Sequence, residues 1–189
     1  MRWYRFLFLL FFFVLIVIPS VAILLSLEKK PAVHKTAPID TDKATRVKDL
    51  SRKTLKQIWR NTGAEDISIS ASEEDLNSLM AVMARGISRM SGHVEITGRV
   101  LHAAWTIRMP HNPAGDFINL RFSIYPSGSG LHISPVTIGH IRVPDKIALY
   151  IMRFMLDMVL GNGNGTVVLN SVQSVVISDD TVTINILRI

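Results

Sequence analysis

From Phe6 to Leu27 the chain reads FLFLLFFFVLIVIPSVAILLSL, 22 residues without a charged side chain. As an α-helix this stretch is about 33 Å long, enough to cross a hydrocarbon core of about 30 Å. A helix inside a globular domain keeps a polar outer face, and here only Ser20 and Ser26 offer any polarity. Residues 6–27 are therefore expected to form a membrane span, preceded by a short tail at 1–5. Pro19-Ser20-Val21-Ala22 also supplies the small residues that a signal peptidase requires, behind the basic residues Arg2 and Arg5. Ile23, Leu24 and Leu25 continue the apolar run past that point, which favours an uncleaved anchor. The chain contains no cysteine, so a lipid-modified lipobox is excluded.

Two signals conflict over orientation. Arg2 and Arg5 precede the run, whereas Lys29, Lys30, Lys35, Lys43 and Arg46 follow it. A strict count of flanking Lys and Arg would keep the C-terminal part in the cytoplasm. The order of basic residues, apolar run and small residues points the other way, and the lack of cysteine suits an oxidising compartment. The expectation is a single-pass protein of the cytoplasmic membrane, with everything after the span outside the cytoplasm.

Charge divides the chain. Residues 1–62 hold 12 Lys or Arg against 4 Asp or Glu, whereas residues 63–189 hold 9 against 11. The overall charge of +6 thus belongs to the anchor and its surroundings. A nucleic-acid-binding domain should carry a basic face of its own, so nucleic acid is not an expected partner.

After the span, 28–42 reads as a polar linker containing Pro31 and Pro38, without regular structure. A helix is predicted over 43–60, capped by Thr41 or Asp42. Ala44, Val47, Leu55, Ile58 and Trp59 form one stripe; Lys53, Lys56 and Arg60 lie opposite, with Arg52 at the border. That basic side is either a solvated face or a contact to anionic lipid headgroups through Arg52, Lys53, Lys56 and Arg60. Asp66–Ser70 alternates like a strand. Ser72-Glu73-Glu74-Asp75 then opens a second helix, with Ser72 as cap and an acidic first turn. Leu76, Leu79, Met80, Met83, Ile87 and Met90 share its apolar face, and Ser91-Gly92 ends it.

Strands follow. The apolar phase moves from even positions (Val94, Ile96) to odd ones (Leu101, Ala103, Trp105) near Gly98, which predicts a bulge or bend there. Ile118, Leu120, Phe122 and Ile124 alternate with Asn119, Arg121 and Ser123, the pattern of a half-buried antiparallel strand. A third helix is predicted over 145–160. Its polar residues Lys146, Arg153 and Asp157 occupy one narrow sector and apolar residues cover the rest. Ile147, Ile151, Phe154 and Met158 are expected to pack on the sheet, leaving Met152, Leu156 and Val159 to receive an apolar ligand or a partner. Gly161–Gly165 reads as a flexible break, and strands are predicted over 166–169, 172–178 and 181–187 with Asp179-Asp180 as a turn. Grouped strands with few helices give an α+β class: a transmembrane helix, then one domain over 43–189 with a mainly antiparallel sheet and two or three helices.

No catalytic constellation, cofactor motif or metal-ligand spacing is present. The histidines make no i, i+4 pair, and His93 with Glu95 on one strand face would need a distant third ligand. Gly161-x-Gly-x-Gly165 follows a helix and precedes an extended run, the wrong setting for a phosphate cradle.

Two segments carry a resemblance: Ser72-Glu-Glu-Asp-Leu-Asn77, and Gly130-Leu-His-Ile-Ser-Pro135 followed by Ile138-Gly139-x-Ile141-x-Val143-Pro144. With the N-terminal anchor, this arrangement resembles the YpmS-like single-pass proteins of the bacterial envelope. The resemblance covers residues 66–144 and implies a domain outside the cytoplasm, with no catalytic residues to carry over. The expected function is non-enzymatic: binding of membrane lipid or another apolar ligand at the membrane surface. The alternative is a structural or assembly factor that packs on a membrane-protein partner.

Overall fold

The computed structural model describes residues 24–34, 67–86, 89–109, 115–161 and 163–186, together with single positions within 11–22 and 42–49. Among these described residues ten strands pair in two sheets. β3 (Met90–Thr97), β4 (Val100–Arg108), β5 (Phe117–Tyr125), β7 (Thr137–Ile138) and β8 (Ile141–Arg142) run side by side in that order. β1 (Leu27–Glu28) and β6 (His132–Ile133) also pair with β5. The second sheet has the order β2 (Ile67–Ser72), β10 (Thr181–Ile186), β9 (Val172–Ile177). Every one of these pairings is antiparallel. With helices α1 (Glu73–Gly86), α2 (Asp145–Leu160) and α3 (Asn164–Ser171), the class is α+β.

The change of apolar phase at Gly98 is a tight turn, not the expected bulge or bend. Gly98 and Arg99 both have positive φ, 59° and 62°, and Thr97 pairs with Val100 across them. A two-residue turn with two left-handed residues matches the twist of the strands it joins. It also pairs even positions with odd ones, so Val94 faces Ala103 and Ile96 faces Leu101. These four, with Trp105, Met80 of α1 and Val175, Ile177 and Val182 of the second sheet, form the main core. The Trp105 ring stacks on Phe122, centroids 5.6 Å apart.

α1 begins as its sequence predicts. The Asp75 N–H donates to Ser72 Oγ at 3.1 Å, and Asp75 Oδ2 accepts from the Ser72 N–H at 3.2 Å, a reciprocal cap. The helix ends at Gly86, earlier than expected, and Met90 to Gly92 open β3 instead. Two residues of its first turns seal the outer edge of β3. Asn77 Oδ1 accepts from the Val94 N–H at 2.8 Å, its Nδ2 donates to the Val94 carbonyl at 2.7 Å, and a Glu73 carboxylate oxygen accepts from the Ile96 N–H at 2.7 Å. An edge strand with unpaired amides invites pairing with another chain, and these side chains remove that opportunity.

Three further expectations need correction. Leu27 and Glu28 are strand residues paired with Ile118 and Phe117, so the folded domain begins inside the predicted span and linker rather than at 43. Among the described residues no helix is long and apolar enough to cross a membrane; half of 6–27 lies outside them. Residues 164–171 form a helix where a flexible break and a strand were predicted. The Gly165 N–H donates to Asp157 Oδ1 at 2.7 Å, and a Cβ on Gly165 would stand 2.6 Å from the Arg153 carbonyl oxygen. Glycine is a poor helix former, but here its missing side chain lets α3 press against α2, and packing overrides propensity.

That contact also reverses the expected orientation of α2. The Arg153–Asp157 sector lies against α3, not against water. Ala148 and Met152 are buried, Ile151 packs on Val136, Val143 and Ala148, and Met155 reaches the main core. Ile147 and Phe154, expected to pack on the sheet, are 53% and 59% exposed. Met158, the fourth residue of that expected stripe, has no described side chain. Replacing Met152 with Ala should therefore cost about 2–5 kcal/mol, the range for emptying a buried methionine. Phe154→Ala should shift stability by no more than about 0.5 kcal/mol, as at an ordinary surface site. Urea midpoints of the two variants in detergent separate these outcomes.

Candidate functional site

The most strongly built feature outside the core is the seat of the chain that follows the apolar run. At its centre is Asn119, fully buried on β5 although it lies on the strand face expected to meet water. Its side chain uses every hydrogen-bonding position it has. Oδ1 accepts from the Ala32 N–H at 2.9 Å and from the Thr106 hydroxyl at 2.6 Å. Nδ2 donates to the Lys30 carbonyl at 2.9 Å and to the Glu28 carboxylate. Thr106 Oγ in turn accepts from the N–H groups of Ala32 and Val33, at 3.1 and 3.0 Å. Thr106 and Asn119 are cross-strand neighbours on β4 and β5, so the sheet itself sets their spacing. Leu27 and Val33 are buried at the two ends of this strap.

Glu28 is held twice over. Arg121 donates to both its carboxylate oxygens, at 2.8 and 2.7 Å. The Arg121 hydrogen bonds keep the Glu28 carboxyl below its ordinary value of 4.5; burial opposes this, and Asn119, the charge of Arg121 and His140 add to it. The same pair raises Arg121, chiefly through the hydrogen bonds to Glu28. A carboxyl depressed in the folded state stabilises above its unfolded pKa and loses that contribution as pH falls through its folded one. Seating of the strap should thus be complete at neutral pH and weaken only below about pH 4.5, the ordinary value. Glu28→Gln should remove that acid dependence, as seen by limited proteolysis within 28–34 across pH 3–7.

Upstream, the seat extends to the end of the apolar run. The β7–β8 turn is Gly139-His140, with Gly139 at φ 57°. Its N–H donates to the Asn119 carbonyl at 2.7 Å, and the His140 N–H donates to the Leu25 carbonyl at 3.2 Å. A Cβ on Gly139 would stand 2.3 Å from the Ser26 carbonyl oxygen, so only glycine lets the two backbones approach this closely. Gly115 does the same for Leu27 on the other side, where a Cβ would lie 2.9 Å from the Leu27 Cβ.

Beside the strap the open face of the sheet forms a groove of about 380 Å³, lined by Ala32, His93, Glu95, His102, Arg121 and Ser123 among others. His102 Nδ1 and Ser123 Oγ share a hydrogen bond of 2.8 Å. Glu95 sits opposite His102, and His93 lies two residues along the same strand face. Among the described residues no three His, Cys, Asp or Glu side chains are placed to hold a metal ion.

The residues expected to meet lipid or a partner are scattered. Met152 is buried, so it supports α2 from inside and is not a surface residue. Leu156 is half-buried against α3, with its Cβ 2.9 Å from where a Cβ of Gly165 would stand. The Val159 side chain, and the whole of Arg52, Lys53, Lys56 and Arg60, lie outside the described residues. The outward face of α2 belongs instead to Ile147, Tyr150 and Phe154, at 53, 73 and 59% exposure. Spaced i, i+3 and i+7, they make one stripe. Helical periodicity could have grouped them; only knowledge of α3 could have turned them outward. Comparison with protein families, with characterised proteins and with solved structures finds no match.

Proposed function

We propose that this chain is a single-pass, membrane-anchored envelope protein that works by binding rather than by catalysis. In this reading the apolar run that begins at residue 6 crosses the cytoplasmic membrane and passes into the strap at 25–27, and the domain lies at the outer face, where it engages lipid or another apolar ligand. The observation that carries the proposal is the strap. An apolar run long enough to span a bilayer ends in a segment whose backbone is bound to the sheet of the folded domain at Leu27, Glu28, Lys30, Ala32 and Val33. A domain on a free tether would need no such seat; one that must stay at the bilayer surface does. The resemblance of residues 66–144 to YpmS-like proteins supports the same placement. The two segments behind it have structural roles here, one capping α1 and sealing β3, the other building the turn that receives Ser26.

The test uses the full chain in bacterial membranes. The chain should remain in the pellet after alkaline carbonate washing, and a reporter that works only outside the cytoplasm, fused after Ile189, should be active. Native mass spectrometry of the detergent-released protein should show retained lipid. Release by carbonate would overturn the anchor. Activity of a cytoplasmic reporter alone would overturn the orientation. A stoichiometric protein partner in place of lipid would favour the assembly role.

A further inference from the structure

Resting on the anchored reading, we infer that the Ile147–Tyr150–Phe154 face of α2 docks on the bilayer in which the chain is anchored, at the boundary between headgroups and acyl chains. The first ground is continuity. The β7–β8 turn holds the backbone of Leu25 and Ser26, next to the end of the charge-free run at Leu27, and Lys29 and Lys30 follow after Glu28, which Arg121 neutralises. That places the turn at headgroup depth. α2 starts at Asp145, five residues after His140, within about 18 Å even if the chain between were fully extended. The hydrogen bond from the Val143 N–H to the Val136 carbonyl keeps it closer than that. Only β8 and Val143–Pro144 thus separate the helix from the turn that marks the membrane boundary.

Charge complementarity is the second ground. Lys29, Lys30, Arg142 and Lys146 are all exposed on the strap, on β8 and at the start of α2, against one exposed acid there, Asp145. Exposed cations on the strap and beside the start of an apolar helix face suit anionic headgroups, and such helices settle about 5–10 Å into the interface. The third ground is residue type. Tyr150, the most exposed of the three, joins an apolar ring to a hydroxyl that can remain in water, as aromatic residues at membrane interfaces do.

The chain contains no cysteine, so a single introduced thiol reports from one place. Tyr150→Cys, Phe154→Cys and, as reference on the exposed β9–β10 turn, Asp179→Cys would each be labelled with a polarity-sensitive fluorophore in the full chain. Each would then be reconstituted in phosphatidylcholine–phosphatidylglycerol vesicles containing a bilayer-borne nitroxide quencher. The labels at 150 and 154 should shift to the blue and lose most of their emission to the bilayer quencher, while the label at 179 should respond only to aqueous iodide. Labels at 150 and 154 that behave like the label at 179, in chains that still float with the vesicles, would overturn this inference alone. Labels shielded from iodide yet not quenched by lipid would overturn it in favour of a protein or a second copy covering the face. Chains that fail to float would overturn the anchored reading and this inference together.

Discussion

Asn119→Leu should unseat residues 28–33 and lower the stability of the full chain by about 3–5 kcal/mol, at the upper end for a single substitution. Leucine shares the branching and heavy-atom count of asparagine, is bulkier, and makes none of its four hydrogen bonds. Left in place, the Lys30 carbonyl and the Thr106 hydroxyl would lose their bond to Asn119, at about 1–3 kcal/mol apiece, while the Ala32 N–H would keep Thr106 and the Glu28 carboxylate would keep Arg121. The strap has a cheaper alternative, which is to leave. Once its peptide groups reach water the penalty stops growing, and the loss is capped at whatever seating contributes. The signature should thus be double: a lower urea midpoint, and rapid proteolytic cleavage within 28–34 while the sheet remains folded. An unchanged cleavage pattern would show that Asn119 does not hold the strap.

Trp105→Ala should be as damaging, by about 3–5 kcal/mol, but by a different route. Trp105 is nearly buried at the centre of β4, between Met80 of α1 and Phe122 of β5. Removing the indole opens a cavity where α1 and both sheets meet, a loss that takes a large share of the roughly 5–15 kcal/mol that holds a domain folded. Trp105→Phe is the control. The indole N–H is buried and finds no hydrogen-bond acceptor among the described residues, so losing it forfeits no bond. Phenylalanine should recover most of the stability, measured by the thermal midpoint, because the ring's packing rather than its N–H carries the contribution.

Local pattern made much of this fold legible. Alternation located β3, β4 and β5, short runs on either side of the Asp179-Asp180 turn located β9 and β10, and the Ser72 cap with its acidic turn placed the start of α1. Those features depend on neighbours a few residues away, which a sequence displays directly. The seat of the strap depends on pairs 73 to 93 residues apart, such as Val33 with Thr106 and Glu28 with Arg121. Nothing local distinguishes Glu28 from any acid that follows a span, or Asn119 from the outward polar residue of a half-buried strand. Alternation predicted its face correctly and its solvent exposure incorrectly, because the cover comes from elsewhere in the chain. α2 failed for the same reason. An almost wholly apolar helix has no intrinsic outside, and its narrow polar sector gives no local sign that another helix covers it. Gly165, read as part of a linker, is what lets α3 occupy that sector and turn Phe154 outward.

The central claim is that the chain leaving the membrane is a seated part of the domain, and amide hydrogen exchange of the full chain in lipid vesicles tests it most directly. The N–H groups of Ala32 and Val33, bonded to Asn119 and Thr106, should be protected to a degree comparable with those of β4 and β5, and Asn119→Leu should abolish that protection while β3 and β4 keep theirs. Free exchange of Ala32 and Val33 in the unaltered chain, alongside a protected sheet, would contradict the account and make the domain a tethered body rather than a seated one.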